Sequence, residues 1–174
     1  MNYYIYLISS LPSLSFDTKP PFSFDDFLSR CKGLVSDEDI DIIRNAGETV
    51  SDHVRVKNMT FRKRLSFEMM LRNELVKIRS SRKKVDPAKY LREDGYPESG
   101  YISHIAINAY RKPSILEAEK ALDLERWRYL EELSMGHYFD IDIMIIYACK
   151  LLLAEKWDKI RSAETDRMLE EVLN

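Results

Sequence analysis

The chain has 174 residues, enough for one domain with a buried core or for two small ones. Hydrophobic residues make up 45% of it and aromatic residues 11%, which excludes a disordered protein. Five glycines and 32% charged residues provide too few turn positions for a β-sandwich, and the net charge is only −2. Because the apolar residues recur with helical spacing, we predict an all-α helical bundle with long helices that pack on two sides.

The N-terminal part is predicted to hold a folded apolar segment, a loop and a short helix. Residues 3–8 are apolar, but they lack a basic leader and are too few for a signal-peptide core or a membrane span. Residues 11–23 contain three prolines, which predicts a loop. Residues 24–32 then form a helix, with Ser23 as its N-cap and Gly33 as its stop.

Two helices of different length come next. One begins at Ser36, with Asp39 in the capping-box position, and ends at Gly47. Residues 58–84 contain neither Gly nor Pro, which predicts a single helix of about 40 Å. Its apolar residues form two nearly opposite stripes, one of Leu65, Met69 and Val76 and the other of Phe67, Leu71, Leu75 and Ile78.

The second half of the chain is predicted to alternate helices with short turns. Asp86 caps a short helix that has Pro87 in its first turn. Residues 101–110 fit a helix or a strand by their period, and we predict a helix. Ser114 and Glu117 form a capping box for the next helix, which Gly136 ends. Its apolar residues lie on two faces: Ile115, Ala118, Leu122, Tyr129 and Leu133 on one, and Leu116, Leu124 and Trp127 on the other.

The last major helix is predicted to begin near Asp140. Between residues 140 and 157 apolar side chains point in nearly every direction, although the run is shorter than the ~20 residues of a membrane span. We predict that this helix is the centre of a bundle, enclosed by residues 58–84, 114–134 and 160–173. If the chain is a fragment of a longer protein, an exposed strip on residues 140–157 is expected to form a homodimer.

The chain contains no sequence motif for catalysis or for cofactor binding. It has no glycine-rich phosphate loop, dinucleotide-binding loop, nucleophile elbow or zinc-protease helix. Asp140 and Asp142 have the residue types for metal binding or acid–base chemistry, but two acids at a helix start are more often a cap and a first-turn residue. The chain is therefore predicted to be a non-enzyme without catalytic residues, cofactor or metal.

The histidines and cysteines support the same prediction. We interpret the histidines as single side chains without a second metal ligand at helical spacing: His53, His104 and His137. Cys31 and Cys149 lie far apart and show no metal or redox spacing, which argues against a disulfide scaffold and fits a reduced cytoplasmic setting.

The charge is strongly segregated along the chain. Residues 54–85 carry 11 Lys and Arg against 2 Asp and Glu, a net charge of +9, and acidic segments flank them. They either meet an acidic partner or pair with their own acidic neighbours. Their spread around the helix favours side chains lying beside a packed core over the alternative function, a nucleic-acid-binding module. The candidate partner contacts are Arg62, Arg64, Arg82, Lys83 and Lys84.

Three segments carry a resemblance to a known family: YYIYLISSLPSL, LEAEKALDLERWRYLEEL and FDIDIMIIYACKLLLAEKW. They resemble a bacterial family encoded among the genes of V-type (vacuolar/archaeal-type) ATPases, where it stands in for the C-type adaptor, which is called d in eukaryotes. The resemblance spans nearly the whole chain and rests on helical patterns. The C-type adaptors are substantially longer, so the chain would be a shortened member or a fragment.

The resemblance implies a non-catalytic structural adaptor. The C-type adaptor of such motors sits as a socket between the central stalk and the membrane ring and transmits torque through contacts alone. The expected partners are therefore the central-stalk and membrane-ring proteins of the ATPase, at a cytoplasmic site that is peripheral to the inner membrane and touches it only indirectly. We expect a single helical domain, either undivided or with residues 1–53 as an N-terminal subregion and residues 54–174 as the main bundle.

Overall fold

The computed structural model describes residues 4–46, 57–92 and 99–173, with side chains up to residue 166. This part of the chain forms helices and no strand, which confirms the predicted all-α class. Gly47 and His53 lie outside the described residues. The helices are α1 (Tyr4–Ser10), α2 (Phe24–Cys31), α3 (Asp37–Asn45), α4 (Met59–Lys83), α5 (Gly100–Tyr110), α6 (Ile115–Leu133) and α7 (Ile141–Leu173), with a short 3-10 helix at Pro87–Lys89.

Most helices begin where the sequence predicts, because a side-chain oxygen accepts a hydrogen bond from a backbone N–H of the first turn. The acceptor and donor residues are Ser23 and Asp26 in α2, Ser36 and Asp39 in α3, Asn58 and Phe61 in α4, and Ser114 and Glu117 in α6. Gly33 and Gly136, predicted to stop α2 and α6, have φ angles of 77° and 86°, which glycine adopts at little cost.

The chain divides into two compact units. The first contains Met1–Ser51 and Leu130–Asn174, and the second contains Asp52–Tyr129. The predicted subregions 1–53 and 54–174 differ from these units, because the residues after Tyr129 pack with the N-terminal helices. The boundary between the units falls inside α6.

In the first unit, α7 packs against α1, α2 and α3. Side chains of α7 are buried on most sides, as the apolar pattern predicts: Met144, Ile145, Ile146, Ala148, Cys149, Leu151, Ala154 and Trp157. Leu7, Phe27 and Ile43 supply one fully buried side chain from each of the other three helices. Tyr147 donates a hydrogen bond from its hydroxyl to the carbonyl of Pro12, at 3.0 Å, and ties the loop after α1 to α7.

The cover of α7 includes helices that were not predicted. Residues 58–84 and 114–129 lie in the second unit, and residues 160–173 continue α7 as one helix of 33 residues. The helices α1, α2 and α3, which the prediction did not include, pack against α7; α2 and α3 each present apolar side chains on one side only and need a partner. The homodimer through residues 140–157, which is expected if the chain is a fragment of a longer protein, stays a prediction.

In the second unit, α4 and α5 pack together and α6 completes the core. The central side chains are Phe67, Leu71, Ile102, Ile105, Ala106, Ala109 and Leu122. The predicted stripe that contains Phe67 and Leu71 is the buried stripe of α4, whereas Leu65, Met69 and Val76 of the other stripe are half-buried. No helix in the described ranges is both long and apolar enough to cross a membrane.

Candidate functional site

The five predicted partner contacts do not form one site. Arg62 and Arg64 lie in the first turns of α4, whereas Arg82, Lys83 and Lys84 lie at its end. At 1.5 Å per residue the two groups are about 30 Å apart along the helix. Arg64 is half-buried, and the other four are exposed. Only the three residues at the end of α4 are close enough to act together.

The directions of α4 and α5 decide what else lies at that end. Ser103 donates a hydrogen bond from Oγ to Glu74 Oε2 at 2.7 Å, and Arg82 donates one from Nη1 to the hydroxyl of Tyr110 at 2.8 Å. The later residue of α4 contacts the later residue of α5, so the two helices run in the same direction. Their last turns therefore lie side by side.

The direction of α6 is opposite to that of α4. Arg126 contacts Glu68, and three residues later the hydroxyl of Tyr129 donates a hydrogen bond to the carbonyl of Lys63 at 3.3 Å. The first turn of α6 must therefore lie at the end of the unit where α4 and α5 finish. Three helix termini meet there, joined by the short connection between α5 and α6.

Six exposed cationic side chains occupy this end of the second unit. They belong to two segments about 30 residues apart in the sequence, which the contact between Arg82 and Tyr110 joins. The six residues, hereafter the basic end, are Arg79, Arg82, Lys83, Lys84, Arg111 and Lys112. Arg111 and Lys112 were missed by the sequence prediction because they lie outside residues 54–85, although the basic pair just before the α6 cap was visible in the sequence.

The six cations of the basic end are not ion-paired with any carboxylate in the described part of the chain. Elsewhere in the same unit the cations do pair: Lys77 Nζ lies 2.8 Å from Glu74 Oε1, and Arg128 Nη1 contacts Glu125 Oε1. Within the basic segment, Glu74 thus pairs with Lys77 in the middle, whereas no described carboxylate pairs with the cations at its end.

Large apolar side chains are exposed beside the basic end. Ile115, predicted on an apolar face of α6, is 91% exposed, because it precedes the first residues of α6 that reach the core. Val85, Tyr110 and Leu116 are exposed by 43%, 40% and 39%. The guanidinium carbon of Arg82 lies 6.0 Å from the ring centroid of Tyr110, which places a cation beside an aromatic surface.

Lys84 ends α4 in an unusual backbone conformation. Its φ of 53° and ψ of 40° are left-handed, a region where residues other than glycine lose about 1–2 kcal/mol. The N–H of Lys84 donates to the carbonyl of Ser81 at 3.2 Å, and the N–H of Val85 donates to that of Ser80 at 3.1 Å. These two bonds form a Schellman motif, in which glycine is the usual residue.

A buried ion network connects α6 to α4 in the second unit. Asp123 is only 1% exposed, and its Oδ1 accepts a hydrogen bond from Arg126 Nη1 at 2.7 Å. Arg126 Nε lies 3.1 Å from both carboxylate oxygens of Glu68. Burial lowers the pKa of the Arg126 guanidinium, but Glu68 and Asp123 outweigh burial and raise it. The network pairs a buried carboxylate with a guanidinium and fixes α6 on α4.

The start of α7 brings together one histidine and two carboxylates. His137 Nδ1 lies 2.7 Å from Asp140 Oδ2 and 3.7 Å from Asp142 Oδ2. Such a donor set is able to hold a divalent cation. The interpretation of the sequence found no second ligand near His137, because it missed that Asp140 follows three residues later. Asp140 also accepts a hydrogen bond from the backbone N–H of Ile143 at 3.1 Å, which confirms its predicted role as a cap.

One buried thiol and two half-buried tyrosines of the first unit are held in their neutral form. Burial raises the pKa of the Cys31 thiol to about 11 and that of the Tyr147 hydroxyl to about 12. Burial, and then a hydrogen bond of 2.6 Å to Asp39, also raise the pKa of Tyr4. A thiol with so high a pKa is almost entirely protonated at neutral pH, so Cys31 is a poor nucleophile.

Residues 97–174 match the family described as "Protein of unknown function (DUF2764)". The match covers α5, α6 and α7, which is somewhat less than half of the chain. No curated protein and no solved structure matches the chain. The matched residues include Arg111 and Lys112 of the basic end, whereas α4 lies outside them.

Proposed function

We propose that the protein is a non-catalytic structural adaptor of a V-type ATPase, in the place of the C-type adaptor between the central stalk and the membrane ring. One observation supports this proposal most. The first and last of the three segments that resemble the ATPase-encoded family pack on each other, as α1 and α7 of the first unit. Leu7 of α1 is 1% exposed, and Pro12 and Tyr147 join the two segments by a hydrogen bond.

An adaptor that transmits torque must keep its shape under load. The first unit suits this role because α7 spans about 50 Å and three other helices pack against it, with its buried side chains in the first half. Buried side chains pack at the density of a crystal, so the covered part of α7 is expected to resist bending. The partners would be the central-stalk and membrane-ring proteins, with the chain at the cytoplasmic side of the inner membrane.

Co-purification from the organism that encodes the chain tests this proposal. A tagged full-length chain is expected to recover the ATPase A, B and D subunits in constant ratio after a second separation by size. A matched variant, Leu151→Asp, places a charge in the core of the first unit and should lose the recovery together with the native fold. Recovery of the wild-type chain without any ATPase component would contradict the proposal.

The non-catalytic part of the proposal has a separate test. The purified chain is expected neither to hydrolyse ATP nor to bind it, since the sequence contains no phosphate-cradling loop. Equilibrium dialysis with labelled ATP measures the binding directly. Saturable binding in the micromolar range would show that the chain has a nucleotide site and would exclude a purely structural role.

A nucleic-acid-binding module is the second candidate function, and the cations of the basic end, which have no carboxylate partner among the described residues, favour it. Binding through phosphate contacts should be strong at low salt and fall steeply as the salt concentration rises. Fluorescence anisotropy with a labelled oligonucleotide, measured over a series of salt concentrations, distinguishes this candidate from the adaptor. An adaptor without nucleic-acid affinity would give no anisotropy change at any salt concentration.

A further inference from the structure

We propose that the basic end, together with the exposed apolar side chains beside it, binds the surface of an anionic lipid membrane. This proposal is independent of the ATPase adaptor, which would meet the membrane only through other proteins of the motor. It rests on three features of the second unit: a cluster of exposed cations, exposed aliphatic side chains at the same end, and a lysine in a backbone position that favours glycine.

The first feature is the charge. Four of the six cations lie at the end of α4, and the other two, Arg111 and Lys112, lie in the turn between α5 and α6. The carboxylates in the same segments are Asp86 and Glu117, and Asp86 already accepts a hydrogen bond from the N–H of Ala88 at 3.0 Å. Because the cations outnumber the carboxylates in these segments, the basic end attracts a surface that carries many negative charges. Each Lys or Arg near an anionic leaflet strengthens binding about fivefold.

The second feature decides which anionic surface is favoured. Ile115, Leu116 and Val85 are aliphatic, so they can enter the boundary between headgroups and acyl chains but cannot stack on bases as aromatic residues do. Lysine is depleted in protein interfaces, whereas clusters of basic residues are attracted to the anionic surface of a membrane. Tyr110 at the same end suits either surface, so the three aliphatic side chains among the cations are what favours a lipid surface over a nucleic acid.

The third feature is the backbone of Lys84. A glycine at this position would relieve the left-handed strain and stabilise the end of α4. The chain instead carries a third consecutive cation there. This combination of lower stability with added charge is typical of a residue that serves binding rather than folding.

Vesicle flotation of the full-length chain tests the proposal. The probes are vesicles of phosphatidylcholine alone and vesicles that also contain about 30% phosphatidylglycerol, a negatively charged lipid of the kind that attracts basic segments. The chain is expected to float with the anionic vesicles only. Equal binding to both vesicle types, or to neither, would overturn the proposal.

Charge-reversal variants locate the binding surface. The double variant Lys83→Glu, Arg111→Glu removes two attractions and should weaken binding to anionic vesicles at least about 25-fold. The control variant Arg62→Glu, Lys63→Glu changes the net charge equally on exposed residues at the opposite end of α4 and should bind nearly as the wild type. Equal loss in both variants would show that net charge alone drives binding, and would overturn the assigned surface.

Two single variants test the other features. Ile115→Ser should weaken vesicle binding about tenfold without changing the fold, because this side chain makes almost no contact within the unit. Lys84→Gly should raise the melting temperature while weakening vesicle binding about fivefold. Unchanged vesicle binding in either variant would contradict the proposal, and circular dichroism of each variant checks that it is folded.

A nucleic-acid probe separates the lipid surface from the second candidate function. A 20-nucleotide single strand is offered to the same variants by fluorescence anisotropy. Weak or absent binding of the strand, beside clear flotation with anionic vesicles, is expected. Tight binding of the strand that the Lys83→Glu, Arg111→Glu variant abolishes, without vesicle binding by the wild type, would overturn the lipid proposal in favour of the nucleic-acid module.

Discussion

The two compact units differ in the titratable groups that burial affects most. In the first unit burial raises the pKa values of the buried Cys31 thiol and of the half-buried Tyr147 hydroxyl, which keeps both groups neutral. In the second unit the fully buried carboxylate of Asp123 is paired with Arg126 in an ion network. The comparison shows that two helical units of one chain can solve the same desolvation problem by removing the charge or by pairing it.

The units also differ in how their helices start and finish. In the first unit the short helices α1, α2 and α3 bury one face each against a single long helix. In the second unit, two helices that run in the same direction finish together, so their carbonyl ends lie side by side. The negative dipole ends of α4 and α5 outnumber the positive end of α6 there, which favours cations at the basic end.

Tryptophan fluorescence can observe each unit separately. The chain has two tryptophans, and both are buried: Trp157 in the first unit and Trp127 in the second. Replacing either one by phenylalanine leaves a single reporter for the other unit. The variants below are made in these two backgrounds, and urea unfolding of each gives the free energy of unfolding.

The largest effect is expected from breaking the ion network of the second unit. Arg126→Met leaves the carboxylate of Asp123 buried without this partner and should lower the free energy of unfolding by about 4 kcal/mol, as reported by Trp127. The control Arg128→Met lies two residues away on the same helix, and its exposed ion pair should contribute less than about 1 kcal/mol. Equal effects of the two variants would mean that the network is not the main polar contact of the unit.

A slightly smaller effect is expected in the apolar core of the first unit. Leu151 is fully buried, so Leu151→Ala should cost about 3 kcal/mol through lost burial and the cavity left behind. Leu152, the next residue, is half-buried, and Leu152→Ala should cost clearly less. Trp157 fluorescence during urea unfolding measures both. A larger loss for Leu152→Ala would contradict the described orientation of α7.

Alkaline pH should weaken the first unit more than the second. Since the pKa of Cys31 is about 11 in the folded chain and 9.0 for a free thiol, only the unfolded chain releases this proton between those values. Stability is therefore present below about pH 9 and is lost as pH rises towards 11, by on the order of 1–2 kcal/mol at pH 10. Tyr4 and Tyr147 act in the same direction.

Urea unfolding at about pH 8 and about pH 10, followed through Trp157 and Trp127, measures this difference between the units. Cys31→Ala is the matched control: it removes the ionising thiol, so the fall in stability of the first unit should become smaller. An equal fall reported by both tryptophans would show that the raised pKa values do not govern the alkaline response.

The smallest effects are expected at the helix caps, and they should be alike in the two units. Ser23→Ala in the first unit and Ser114→Ala in the second each remove a hydrogen bond to a first-turn N–H, at 3.1 Å in both cases. Each should cost about 1 kcal/mol. Ser29→Ala, an exposed position within α2, serves as the control and should change stability by less than about 0.5 kcal/mol. Thermal unfolding by circular dichroism is sensitive enough to rank the three variants.

Local patterns in the sequence predicted nearly all of the helices. Ser23, Ser36 and Ser114 were identified as caps, and Gly33 and Gly136 as stops, because each acts on groups only three or four residues away. The long α4 followed from the lack of Gly and Pro in residues 58–84. The continuity of α7 was harder to predict, because its apolar pattern changes near Asp158 from all sides to one side, although no residue there breaks a helix.

The partners of the helices and the basic end were decided only by the tertiary structure. The sequence showed that residues 140–157 need cover on all sides, but an apolar stripe does not specify which other stripe will meet it. In the same way, Arg62 and Arg82 were grouped by closeness along the chain, whereas the fold places Arg111 beside Arg82 and Arg62 about 30 Å away. A cap joins atoms within one turn of helix, so the sequence determines it. A surface built from several helices depends on the directions in which they pack, and this depends on many contacts between residues that are distant in the chain.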